Sequence, residues 1–197
     1  MIILGSLVVI FIVLQGFLAM STSNVEDYQY EVLATYPNFE IRKYKKAIFS
    51  SVDMRTDGYE STSRSGFRIL AGYIFGGNET GEQIAMTSPV AMSIDGENPK
   101  MSFMVPASYH MDSLPKPSDS SIYFEEKESC IMAATRFGGW ANDKKIEKHK
   151  QKLIEALAKE NIQHDNNFSY FGYNPPYEVF NRRNEVVVEV SSFEPVQ

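Results

Sequence analysis

GFRILAGYIFGGNETGEQIAMTSPVAMSI, residues Gly66–Ile94, changes period midway, and that change decides the organisation of the whole chain. Its first part is helical. Ser63, Phe67, Leu70, Ala71 and Ile74 recur at i, i+4, i+7, i+8 and i+11, one apolar stripe of a helix that starts near Tyr59. Asp57 stands where an N-cap belongs, and Gly76-Gly77 stops the helix. After Gly81 the period becomes two: Ile84, Met86, Val90, Met92 and Ile94 fall on one side, Ala85, Thr87, Ala91 and Ser93 on the other. Pro89 breaks that strand, because it cannot donate to a sheet ladder.

Working outward, Tyr30–Ala34 and Phe39–Tyr44 read as short strands around the turn Tyr36-Pro37-Asn38. Ala47–Met54 is a third strand, with Ile48, Val52 and Met54 on one face. Met101–Val105 follows the broken strand, and SLPKPSDSS, residues 113–121, is a Pro/Ser loop. The plan then recurs. Ser121–Glu126 and Cys130–Phe137 are strands, Gly138-Gly139 is a break, and Asn142 caps a helix running to about Asn161 with the stripe Ile146, Leu153, Ile154 and Leu157. Strands at Phe168–Tyr173, Tyr177–Phe180 and Glu185–Val190 close the chain. Pro89 and Pro175 follow their helices by similar distances, as a duplicated βαββ unit requires. Helices separated by several strands exclude a doubly wound parallel sheet and point to an α+β domain, a mostly antiparallel sheet carrying two helices. In the last hairpin Asn181–Asn184 reads as the turn into the final strand, where Val186, Val188 and Val190 share a face. Arg182 and Arg183 are assigned a structural part there ahead of a ligand contact.

The totals are those of a globular domain: 197 residues, 22% charged, 13% aromatic. The net charge of −6 argues against nonspecific nucleic-acid binding, and no basic stripe with interleaved aromatics opposes that. Arg42, Lys43, Lys45 and Lys46 read as a solvated strand edge. Cys130 is the single cysteine, so the chain has no intrachain disulfide and no cysteine zinc cage; within CIMAATRF it reads as a small buried hydrophobe. Residues 1–20, MIILGSLVVIFIVLQGFLAM, carry no charged side chain and read as either a signal peptide or an N-terminal membrane anchor. Ala19 and Ser21 favour cleavage, and the length of the run favours retention. Glu26 and Asp27 follow, and no Lys or Arg occurs before Arg42, which places the domain on the non-cytoplasmic side, secreted, periplasmic or anchored by its N-terminus. Residues 21–27 read as a linker and 28–197 as the folded domain. Asn78 and Asn167 open glycosylation sequons, relevant in a eukaryote.

The common catalytic signatures are missing: no G-x-S-x-G, no H-E-x-x-H, no Walker loop and no C-x-x-C. GGNETG lacks the following Lys-Ser/Thr of a phosphate cradle. His110, His149 and His164 have no metal-triad spacing and read as solvated, although a single histidine suffices as an axial ligand of heme iron. Met86, Met92, Met101, Met104 and Met132 lie on strands and read as core. Glu125, Glu126 and Glu128 read as one solvated edge rather than a catalytic pair. The residues favour binding over catalysis.

Four stretches in order resemble the SOUL heme-binding protein family: GFRILAGYIFGGN (66–78), QIAMTSPVAM (83–92), ATRFGGWA (134–141) and YNPPYEVFNRRNEVVVEV (173–190). Together they span about residues 28–190. The resemblance implies a distorted β-barrel of two pseudo-symmetric βαββ halves with two flanking helices, and a protein that binds heme or another tetrapyrrole non-covalently, for carriage, buffering or sensing and not for catalysis. It also implies a site on the first helix. Arg64, Arg68, Ala71 and Phe75, at i, i+4, i+7 and i+11, form a face offset from the core stripe, with the arginines for the propionates and Ala71 and Phe75 for the ring. The bland alternative is that this face is simply solvated. Lys43 occupies a place where some relatives carry histidine, and Gln83 one where many carry lysine. A small-molecule-binding or protein-interaction module on the same scaffold, without heme, is the competing expectation.

Overall fold

The computed structural model describes residues 25–54, 59–95, 99–175, 177–191 and 193. Asp57, the segment 1–20 and the first residues of the linker lie outside them. In chain order the elements are β1 (Glu26–Asp27), β2 (Tyr30–Thr35), β3 (Glu40–Tyr44), β4 (Ala47–Asp53), α1 (Tyr59–Ile74), β5 (Thr87–Ser88), β6 (Val90–Ser93), β7 (Lys100–Met104), a 3-10 turn (Met111–Ser113), β8 (Ile122–Lys127), β9 (Cys130–Phe137), α2 (Asp143–Lys159), β10 (Ser169–Gly172) and β11 (Asn184–Glu189).

Nine strands form one antiparallel sheet in the order β2-β3-β9-β11-β10-β6-β7-β4-β8, curled into a half-barrel. Apart from β2 at one end, the order is symmetric about the β6–β10 pair. β6 pairs with β10, and outward from that pair β7 corresponds to β11, β4 to β9 and β8 to β3. Each half is therefore a βαββ unit, β4-α1-β6-β7 and β9-α2-β10-β11, preceded by a strand that crosses to the other half: β3 pairs with β9, and β8 with β4. The expected duplication is present, with one change of register. Pro89, joined to Ser88 by a cis bond, directly precedes β6, whereas Pro175 follows β10. The two prolines do not occupy equivalent places.

Strand alternation sorts the side chains onto two faces. Ile41, Ala133, Val186 and Val188 join Leu70, Tyr73, Ile74, Ile146, Leu153 and Leu157 in the main core under the helices. The opposite, concave face holds a second cluster of Tyr28, Tyr44, Phe49, Met104, Met132, Phe171 and Val187. The methionines singled out on strands pack in these cores, as expected; Met86 is partly buried. Glu26–Asp27, at the end of the stretch read as a linker, pair in parallel with Thr87–Ser88, and Tyr28 N donates to Ser88 O.

α1 ends as its glycines require. Gly77 N donates to Gly72 O at 2.8 Å and Gly76 N to Tyr73 O, with Gly76 at φ +103°, a Schellman closure. A Cβ on Gly77 would lie 2.6 Å from the Gly72 carbonyl oxygen, so no other residue fits that approach. α2 begins at the expected cap, where Asn142 Oδ1 accepts from Lys145 N at 2.8 Å. Asn142→Ala should lower stability by about 1 kcal/mol, and Asn142→Asp should retain most of it. A denaturation midpoint unmoved by the alanine would show that the cap is idle.

Two sequence expectations are corrected. Tyr177–Phe180 is not a strand. Arg182 Nη1 donates to the carbonyls of Pro175 and Glu178, and Nη2 to that of Asn174, so a side chain takes up the acceptors a partner strand would need. Arg42 is not part of a solvated edge. It is buried, while Lys43, Lys45 and Lys46 beside it are exposed.

Candidate functional site

The outward face of α1 is set by helical rotation. At about 100° per residue, Arg64, Phe75, Arg68 and Gly72 follow one another within about 80° of arc. Arg64, Arg68 and Gly72 are exposed, and Phe75 keeps 64% of its surface in solvent. Among the described residues no carboxylate pairs with either arginine. Nothing lies within 4 Å of where a Gly72 Cβ would be, so the backbone itself is open there. Ala71 departs from the expectation. It lies at the boundary with the core stripe, its side chain is one methyl, and its neighbours cover it to 8% exposure. Gly72, not Ala71, continues the exposed stripe. The face therefore offers two cations, a bare stretch of backbone and one ring, the set of groups that suits a flat apolar molecule with acidic substituents.

Behind Phe75 the loop is rigidly built. Phe75 bridges to Gln83, and Asn78 is the hub of the turn. Asn78 Nδ2 donates to Tyr73 O and Glu82 O, and its Oδ1 accepts from the backbone N–H groups of Thr80 and Glu82 and from the Thr80 hydroxyl. GGNETG is thus a structural turn. Its sequon asparagine is buried, and a glycan on that nitrogen is incompatible with these bonds; Asn167, of the other sequon, is exposed.

The concave face carries an ion network that reading by residue type missed. Glu185 on β11 has no exposed surface; its carboxylate accepts from Arg42 Nη1 at 2.8 Å, Arg42 Nη2 at 3.1 Å, Arg183 Nε at 3.0 Å and the Tyr173 hydroxyl at 2.9 Å. Arg42 also holds Glu40 at 2.8 Å and lies over the Tyr30 ring, while Arg183 stacks on Tyr173. Burial by itself would raise the Glu185 pKa. The hydrogen bonds and charge of Arg42, helped by Arg183 and Tyr173, outweigh burial and hold the carboxyl below its ordinary range. Burial and the neighbouring Glu185 push the Tyr173 phenol far up, so it stays a donor. Arg182 and Arg183 are structural, as read from the sequence.

Two clefts among the described residues open to solvent without α1 in their walls. One, of about 760 Å³, lies between α2 and the β2–β3 hairpin, with Phe39, Thr135, His149, Lys152 and Lys159 among its walls. His149 is not simply solvated: it is half-buried and stacks on Phe137 at 4.4 Å, and burial together with Lys152, Lys145 and Lys148 lowers its pKa. The other cleft, of about 500 Å³, opens on the concave face over Phe49, Met132 and Phe171, and Asp95, Glu125, Glu126, Asp165 and Glu189 are on its walls. No group of three potential metal ligands occurs among the described residues.

A family model described as SOUL heme-binding protein matches residues 25–189. Heme-binding protein 1 of Xenopus laevis is 32% identical over 155 residues, covering 75% of this chain and 81% of that protein. Heme-binding protein 2 of Homo sapiens is 29% identical over 157 residues, with 76% of each chain covered. Among solved structures the EcmrR C-terminal domain superposes with a TM-score of 0.58 at 9% identity, over 83% of this chain and 99% of that one. A hydrolase from Listeria innocua does so with a TM-score of 0.52 at 12% identity, over 80% and 94%. At such identities the likeness is one of fold alone.

Proposed function

We propose, from the premise that this chain belongs to the SOUL heme-binding protein family, that it binds heme or a related tetrapyrrole non-covalently on the outward face of α1, without catalysing a reaction on it. The observation that carries the placement is the pairing of two exposed arginines, free of carboxylate partners among the described residues, with an exposed ring on one helical stripe. The residues fit the group. Arg64 and Arg68 would hold the propionates, and Phe75 and the open backbone at Gly72 would take the ring. Bound heme supplies iron redox and ligand chemistry; this chain's own side chains bind and orient. The concave cleft is the poorer host, because five carboxylates against Lys100 and Lys127 leave its walls net negative, which opposes propionates.

A second reading keeps the scaffold and moves the ligand. The cleft beside α2 has the size of a small-molecule site and brings His149 together with Lys152 and Lys159. Carriage, buffering or sensing is the role we infer. It would be exercised outside the cytoplasm, with residues 1–20 either removed on export or holding the domain to a membrane.

Hemin titration of the protein tests the proposal. A saturable Soret shift at micromolar hemin is expected, and its absence would sink heme as the ligand. Binding that persists when both arginines are changed but falls with His149→Ala would favour the cleft beside α2.

A further inference from the structure

Where β9 runs on toward α2 and β10 toward β11, two loops carry large apolar side chains in the open. Trp140 is 52% exposed, Tyr177 52%, Val179 42% and Phe180 58%. They belong to one surface because Arg182 joins the loops. Its guanidinium lies over the Trp140 ring at 4.1 Å while it holds the carbonyls of Asn174, Pro175 and Glu178. Lys145 Nζ braces the other loop through Gly138 O at 2.6 Å and Trp140 O at 3.3 Å. Exposed Arg136, Lys144 and Lys148 stand on the adjoining strand end and helix turns, and with Lys145 and Arg182 they outnumber Asp143, Glu147 and the loop's own buried Glu178 by five to three.

We propose that this surface sits in the headgroup layer of an anionic bilayer. Trp and Tyr concentrate at that depth, and nearby Lys and Arg are drawn to anionic lipid. The local basic surplus contrasts with a chain of net charge −6. The path of the chain agrees. Glu26–Asp27 pair with Thr87–Ser88, Val90 pairs with Gly172, and the segment after Gly172 is the loop bearing Tyr177, Val179 and Phe180. The apolar run ends at Met20, and Glu26 is six residues further on, a span of at most roughly 22 Å. A domain tethered by that run is held with this loop near its membrane. The inference rests on residues 1–20 being retained as an anchor, and the test separates the two claims.

Trp140 is the only tryptophan of the chain, so its emission reports this surface alone. The full chain is reconstituted into phosphatidylcholine–phosphatidylserine vesicles, with or without brominated acyl chains. Bromine should quench the emission at least twofold. Val179→Glu with Phe180→Glu should restore most of it, while the protein still floats with the vesicles and its hemin titration is unchanged. Flotation without quenching leaves the anchor standing and overturns the surface contact. Neither flotation nor quenching overturns both. A blue shift that grows with protein concentration in lipid-free detergent would assign the surface to a second copy of the chain and overturn the bilayer contact.

Discussion

Glu185→Ala is expected to destabilise the fold by about 3–5 kcal/mol, the usual consequence of deleting one partner from a buried ion network. Arg42 would remain buried at 4% exposure with only the half-exposed Glu40 as an ion-pair partner, the Tyr173 hydroxyl would lose its acceptor, and the Arg183 guanidinium would keep only the Tyr30 hydroxyl as acceptor. The network also has a topological task. Arg42 lies on β3, which reaches the second half by crossing over, and Glu185 lies on β11, with β9 between them. Ala134 on β9 faces the same side, and its small side chain leaves room for the guanidinium to span the gap. The bidentate contact thus fixes the register of the exchanged strand. Urea denaturation measures the cost, and a loss below about 1 kcal/mol would refute it. Arg42→Met combined with Glu185→Leu should stand closer to wild type than Glu185→Ala, because it leaves neither of these two charges buried alone.

The same carboxylate gives a pH signature. Its folded pKa is depressed, so its stabilisation is present above the unfolded glutamate value of about 4.3 and is lost as pH falls through the folded value. The gap in stability between wild type and Glu185→Gln should therefore close as pH is lowered through that acid window. A gap constant from neutral to strongly acidic pH would mean that Glu185 is not the ionised partner.

Periodicity made most of the fold legible. The stripe through Leu70 and Ile74 and that through Leu153 and Leu157 became helix faces on the sheet, and the alternating valines of the last strand divided between the two cores. Arg42 was misread because residue type alone implies solvation, and its partner lies 143 residues away in sequence. Ala71 was misplaced because helical angle does not say how tall the neighbouring side chains are; at a stripe boundary a methyl is covered while an arginine escapes. The loop at Tyr177–Phe180 looked like a strand because Tyr, Val and Phe are strand-favouring residue types, and only Arg182's hold on the carbonyls reveals otherwise. The exposure of Arg64, Arg68 and Phe75 on one stripe was legible, since it needs only helical geometry, and the open backbone at Gly72 was not, because that feature is an absent side chain.

Arg64→Glu together with Arg68→Glu is expected to weaken hemin binding by roughly 30-fold. An exposed charge-assisted contact contributes about 0.5 kcal/mol, and reversing the charge adds repulsion of similar size, so two reversals give about 2 kcal/mol. Alanine at both places should cost less, because it removes attraction without adding repulsion. Salt separates charge from shape. The deficit of the double glutamate variant should shrink as ionic strength rises, since both contacts are open to solvent. Phe75→Ala should weaken binding by a salt-independent factor, because its part is apolar contact with the ring. Neither change touches the core, so thermal unfolding should move little, and a large loss of stability would disqualify the comparison as a measure of binding. Hemin affinity that ignores both arginines and Phe75 would remove the ligand from this helix, whatever the family shares elsewhere.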